Sequence, residues 1–252
     1  MFSLSYQLYS SREFPPLLNT MKMLRDAGYT HVESFGGLYD DVPALKADLD
    51  ASGMTLPSGH FSVDALTHDQ ARTLEIAASL GIQSIYAPHL TVEKRPTDAA
   101  GWTKFGQQLE ALALTYKAAG LGFGWHNHDF EFAATDDGSI PMRLILDAAP
   151  SLEWEIDIAW IVRGGADPLQ WIAEYRDRLT AVHIKDIARE GDCLDEDGWA
   201  DVGHGTMDWP GIMQALTTAP IRHYVMEHDN PNDHERFARR SIETVRAIEG
   251  QL

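Results

Sequence analysis

One cysteine, Cys193, stands in 252 residues, so no internal disulfide framework can form, and the chain suits a reducing, cytoplasmic setting. Long apolar runs are missing as well; nothing approaches the roughly 18 residues a membrane span requires. The opening stretch MFSLSYQLYS lacks the basic flank and apolar core of a secretion signal, so export is not indicated. Basic residues are scarce, 20 against 38 acidic ones, for a formal charge of −18. That charge repels a nucleic-acid backbone and an anionic lipid surface, and neither is expected as a partner. No GxGxxG or P-loop pattern follows an early strand, which speaks against an open dinucleotide-binding sheet. No Ser/Gly/Pro-rich linker divides the chain, so residues 1–252 read as one domain.

What is present is an eightfold alternation. Short β-branched or aromatic runs fall near 2–9, 30–35, 55–61, 82–87, 121–128, 152–158, 179–185 and 222–228. Between them lie stretches such as PPLLNTMKMLRDAG and FGQQLEALALTYKAAG, with apolar residues at three- and four-residue spacing. Gly28, Gly53, Gly81 and Gly120 stand where helices should end. Asp167-Pro168 and Asp208-Trp209-Pro210 look like helix starts. Eight strand–helix units require parallel strands and close most simply into a single-domain (β/α)8 TIM barrel.

Barrel chemistry sits at the C-terminal ends of strands, which turns strand parity into a test. In LEWEIDI the apolar residues share one face, leaving Glu153, Glu155 and Asp157 inside. The same rule puts His183 and Lys185 inside in LTAVHIK, and His223 and Glu227 inside in HYVME. In GFGWHNHDFEF it turns Phe123 and Trp125 outward and His126 and His128 inward. Asp157, His183, Glu227 and a strand-five histidine thus converge on one mouth. Two imidazoles with two carboxylates suit one divalent ion, Mn2+ first, then Co2+ or Zn2+, with Mg2+ less natural.

Ordinary structural roles compete with several of these assignments. One of His126 and His128 could ligate while the other touches substrate. Lys185 could be an ion-pair partner or hold an oxyanion. Glu153 and Glu155 could simply face water or pair with a base. His60 and His89 could be plain mouth residues; His31, His68, His204 and His234 read as surface or loop groups. Trp160 could stack on a sugar or plug its loop. The acidic segment 187–202 could be a lid or a solvated loop.

The stretches YQLYSSRE, GYTHVESFGGLY, WHNHDFEF, EIDIAWIVRGGADPLQWI, VHIKD, ADVGHGTMDWPGI and YVMEHDNP together resemble the xylose isomerase-like TIM-barrel superfamily, in its sugar phosphate isomerase/epimerase group. The resemblance spans nearly the whole chain. It implies a metal held by residues from strands five to eight, here His126, Asp157, His183 and Glu227. The strand-five ligand is a glutamate in the well-known epimerases, and Trp160 stands where several carry a histidine. Both departures weaken the usual two-glutamate proton shuttle. The implied activity is isomerisation or epimerisation of a keto-sugar or related polyol, by proton abstraction next to a carbonyl and a metal-stabilised enediolate. Glu227, His126 and Lys185 are the expected catalytic groups, and His128, His60, Trp160 and Glu33 the expected substrate contacts. A lyase, of the inosose dehydratase or 3-keto-glycoside kind, is the alternative at the same site. An endonuclease-type hydrolase and a non-catalytic sugar-binding barrel are disfavoured. The expected partner is a small carbohydrate, and the chain could form a homo-oligomer.

Overall fold

A computed structural model describes residues 2–252. Eight parallel strands close into a ring in chain order: β1 Leu4–Gln7, β2 His31–Ser34, β3 Thr55–His60, β4 Ser84–Ala87, β5 Gly122–His126, β6 Glu153–Asp157, β7 Leu179–Ile184 and β8 His223–Met226. Helices fill the connections, so the chain is a single (β/α)8 TIM barrel. The helix-ending glycines Gly28, Gly53 and Gly81 take φ of 103°, 68° and 78°, a region that only glycine enters freely. Asp167 and Asp208 cap the helices Pro168–Tyr175 and Trp209–Leu216. No helix among the described residues is long and apolar enough to cross a membrane.

Strand parity follows the sequence pattern. Trp125, Trp154, Ile156, Val182, Ile184 and Met226 are all buried in the core that joins the barrel to its helices. The other parity fills the interior with polar groups: Glu33, Ser58, Glu155, Asp157 and His183 are almost or wholly inaccessible. Gly124 makes room for this filling, because a Cβ there would lie 2.7 Å from the Tyr86 ring.

Two stretches differ from the sequence expectation. β5 stops at His126, short of Asn127 and His128, because the Asn127 side chain substitutes for further ladder. Its Oδ1 accepts from the Asp157 N–H at 2.9 Å, and its Nδ2 donates to the Asp157 carbonyl at 3.1 Å. Segment 187–202 is pinned at its base while most of its tip, residues 189–195, is exposed. Asp186–Ile187 pairs antiparallel with Trp199–Ala200, and Arg236 reaches Glu196 at 2.6 Å and Asp201 at 2.9 Å.

Candidate metal and substrate site

Each of the four expected ligands owes its position to a local feature. His126 ends β5 and pairs in register with Glu155; Asp157 ends β6 and pairs with His183 of β7. Asp157 also caps the helix Ile158–Arg163, its Oδ1 accepting from the Trp160 N–H at 2.9 Å. That leaves Oδ2 buried and free of hydrogen bonds, as is Nδ1 of His126. Glu227 follows β8, and its Oε2 lies 2.9 Å from His183 Nδ1. Ligand atoms of His126, Asp157, His183 and Glu227 all lie within 4.8 Å of one another. Two nitrogens, two carboxylates and unpartnered buried lone pairs suit a divalent ion of the Mn2+, Co2+ or Zn2+ type.

A second group with the same property sits deeper. His60, His126, Glu155 and His183 also place ligand atoms within 4.8 Å of one another. Glu155 Oε2 lies 2.6 Å from His60 Nε2, 3.2 Å from His126 Nδ1 and 3.4 Å from His183 Nε2.

Burial and crowding set the protonation states. Burial presses on Glu227, but Lys185 and His183 overcome it and hold the carboxyl well below its usual range. Asp157 is pushed up to about 6 by burial, with Lys185 opposing and Glu227 adding to the rise. His183 is raised well above an ordinary imidazole: burial opposes its charge, yet Glu155 and Glu227 outweigh it. His126 falls to about 3 through burial and the neighbouring His183 cation, which keeps it neutral. The interior therefore gathers more carboxylates than its own cations match.

A cavity of about 500 Å3 opens above this cluster. His60, His126, His128 and Glu227 line it, as do Tyr9 and Phe35 on the far side. A crevice of about 470 Å3 at the opposite end of the barrel, floored by His223, holds none of the expected ligands.

Three expected roles meet a different geometry. Glu33, read as a sugar contact, is wholly buried, with Gln7 and Ser58 donating to its two oxygens, so substrate does not reach it. Lys185, read as an ion-pair partner or an oxyanion holder, is also wholly buried and takes the ion-pair place. Its Nζ donates to Asp229 at 2.9 Å and forms ion pairs with Glu227 at 2.9 Å and Asp157 at 3.5 Å, so its charge is already engaged by three carboxylates. Trp160 stands behind His128, ring centroids 5.2 Å apart, and packs edge-on against Trp199 at 4.8 Å rather than lining the cavity.

The family model of the xylose isomerase-like TIM barrel matches residues 21–248. The chain belongs to that family. It is 26% identical over 241 residues to the rhizopine catabolism protein MocC of Rhizobium meliloti, covering 84% of this chain and 74% of MocC. A sugar phosphate isomerase/epimerase from Parabacteroides distasonis superposes with a TM-score of 0.80 at 22% identity, over 97% of this chain and 93% of that one. The IolI protein, crystallised with a bound zinc atom, gives 0.76 at 14% identity over 99% of both chains. At such identities the superpositions speak for the fold.

In this xylose isomerase-like barrel, several site residues escaped the sequence reading. Asn127, between the two histidines of HNH, faces away from them and anchors Asp157. Glu131, the acidic residue of DFEF, is buried; its oxygens accept from Trp125 Nε1 and the His128 N–H, both at 2.9 Å, which fixes the loop carrying His128. Tyr9 lies in YQLYSSRE and Phe35 in GYTHVESFGGLY, so the signal was aromatic side chains just beyond strand ends. Asp229 in MEHDNP was visible only as one acid among many.

Proposed function

We propose that the protein is a divalent-metal-dependent isomerase or epimerase of a keto-sugar or related polyol. The observation that carries this reading is the gathering of His126, Asp157, His183 and Glu227 under an open cavity at the C-terminal mouth. Family membership and the likeness to a sugar phosphate isomerase/epimerase support a carbohydrate substrate. The zinc atom of IolI supports a metal in a barrel of this fold.

These four residues would hold the ion, with Mn2+ placed first and Co2+ or Zn2+ next. A divalent ion bound there lowers the cost of negative charge on a carbonyl oxygen and the neighbouring hydroxyl. Glu227, ionised and lining the cavity, takes the proton from the carbon next to the carbonyl. Returning a proton from the other side would fall to His126 in its protonated form, which burial and the His183 charge hold to a small fraction at neutral pH. Proton return to the opposite face of the same carbon gives epimerisation; return to the neighbouring carbon gives isomerisation. His60 and His128 meet substrate hydroxyls, and Tyr9 with Phe35 offers an apolar wall to the sugar ring. Lys185 balances the charge of Asp157, Glu227 and Asp229 from below.

Metal analysis of the purified protein, followed by NMR of keto-sugars and inososes in D2O, tests the proposal. Deuterium incorporation next to the carbonyl, lost in Glu227→Gln, is the expected result. Formation of an enone with loss of water would reassign the site to a lyase. Binding of sugar with neither metal nor proton exchange would remove the enzymatic reading altogether.

A further inference from the structure

His183 belongs to both potential ligand groups, and its two ring nitrogens point to different ones. Nδ1 faces the mouth, 2.9 Å from Glu227 and 4.0 Å from Asp157. Nε2 faces the interior, 2.8 Å from Glu33 Oε1 and 3.4 Å from Glu155 Oε2. Once an ion displaces one of the ring's protons, the imidazole carries one N–H and offers one lone pair, so it serves one group at a time. Whichever nitrogen holds the proton decides which group can take an ion.

We infer that Glu33 makes this choice: by accepting the Nε2–H of His183 it reserves Nδ1 for an ion at the mouth. The inference rests on the metal-dependent reading above and assigns Glu33 a positioning role in place of substrate contact. Glu33 is built for that task. Its Oε1 accepts from Gln7 Nε2 at 2.9 Å, and its Oε2 accepts from the Ser58 hydroxyl. The carboxylate is thus fixed from β1 and β3 while it stands on β2, and cannot rotate away from His183. Glu155 is farther from Nε2 and has His60 at 2.6 Å, so it competes poorly for the same proton. A carboxylate behind a ligating imidazole fixes its tautomer and raises its basicity.

Zinc is a suitable probe because it is diamagnetic. In the zinc-loaded protein, nitrogen-15 NMR of the His183 ring should show Nε2 protonated and Nδ1 ligated. Competition with a chelating dye should show zinc affinity falling roughly 10- to 100-fold in Glu33→Gln. Ser58→Ala, which loosens Glu33 without touching His183, should lose affinity in the same direction by less. The inference is overturned if Glu33→Gln binds zinc as tightly as the wild type. It is equally overturned if His183 ligates through Nε2. A wild-type protein that binds no divalent ion would overturn the parent reading and this one together.

Discussion

The Arg163 guanidinium lies 3.1 Å from the centre of the Trp199 ring, and its Nη2 donates to the Asp197 carbonyl at 2.8 Å. One residue from the helix after β6 thereby fastens the long segment after β7. Trp199 in turn covers Lys185, whose Nζ is 4.7 Å from the ring centre. The buried charges beneath the mouth are sealed by this strap.

Arg163→Ala removes both the ring contact and the hydrogen bond, a loss of about 1–2 kcal/mol. Denaturant unfolding should register it, and amide exchange should accelerate within 187–202 while the strands keep their protection. Unchanged exchange in that segment would mean that the Arg236 contacts to Glu196 and Asp201 hold it unaided.

Lys185 is the cation shared by Asp157, Glu227 and Asp229. Lys185→Met leaves these carboxylates without it, and breaking a buried pair from one side costs about 3–5 kcal/mol. The expected result is a large fall in the melting temperature of metal-free protein, with part of it recovered on adding Mn2+. A fall that Mn2+ leaves untouched would place the ion away from these three carboxylates.

The barrel was legible because its grammar is local: period-two strands, helix-ending glycines and aspartate caps each announce themselves over a few residues. Parity alone also brought Asp157, His183 and Glu227 to one end, since every strand of a parallel barrel runs the same way. Depth was not legible. Glu33 and Lys185 stand at strand ends like true mouth residues, but register and packing put them beneath the surface, among partners 25 to 150 residues distant along the chain. Trp160 could stack on a sugar or plug its loop, and the choice turns on the hairpin that brings Trp199 against it, a contact between segments that no short motif encodes.

Phe35 and Tyr9 pack edge to face, ring centroids 5.2 Å apart, on the wall of the cavity. If they hold the sugar ring, they do so equally before and during reaction. Phe35→Ala should then raise KM about tenfold with kcat nearly unchanged, a change of the size that losing an apolar contact brings. A fall in kcat at constant KM would instead assign Phe35 to the reacting geometry.

Glu131 gives the clearest pH prediction. Burial pushes its carboxyl up to about 8, against the opposing pull of the His128 and Glu131 N–H groups and the Trp125 indole. A carboxyl raised in the folded state from an ordinary value near 4.5 contributes stability that is complete below about pH 4.5. That contribution is lost as pH rises through 8, because the unfolded chain ionises first. Glu131→Gln gives up one accepted hydrogen bond, costing about 1 kcal/mol at pH 4, but has no proton to lose. Urea unfolding should therefore show the wild type ahead at pH 4, the two level between about pH 5 and 6, and the variant ahead towards pH 8. A difference that stays constant across this range would mean that Glu131 is already ionised in the folded barrel, with the two N–H donors outweighing burial.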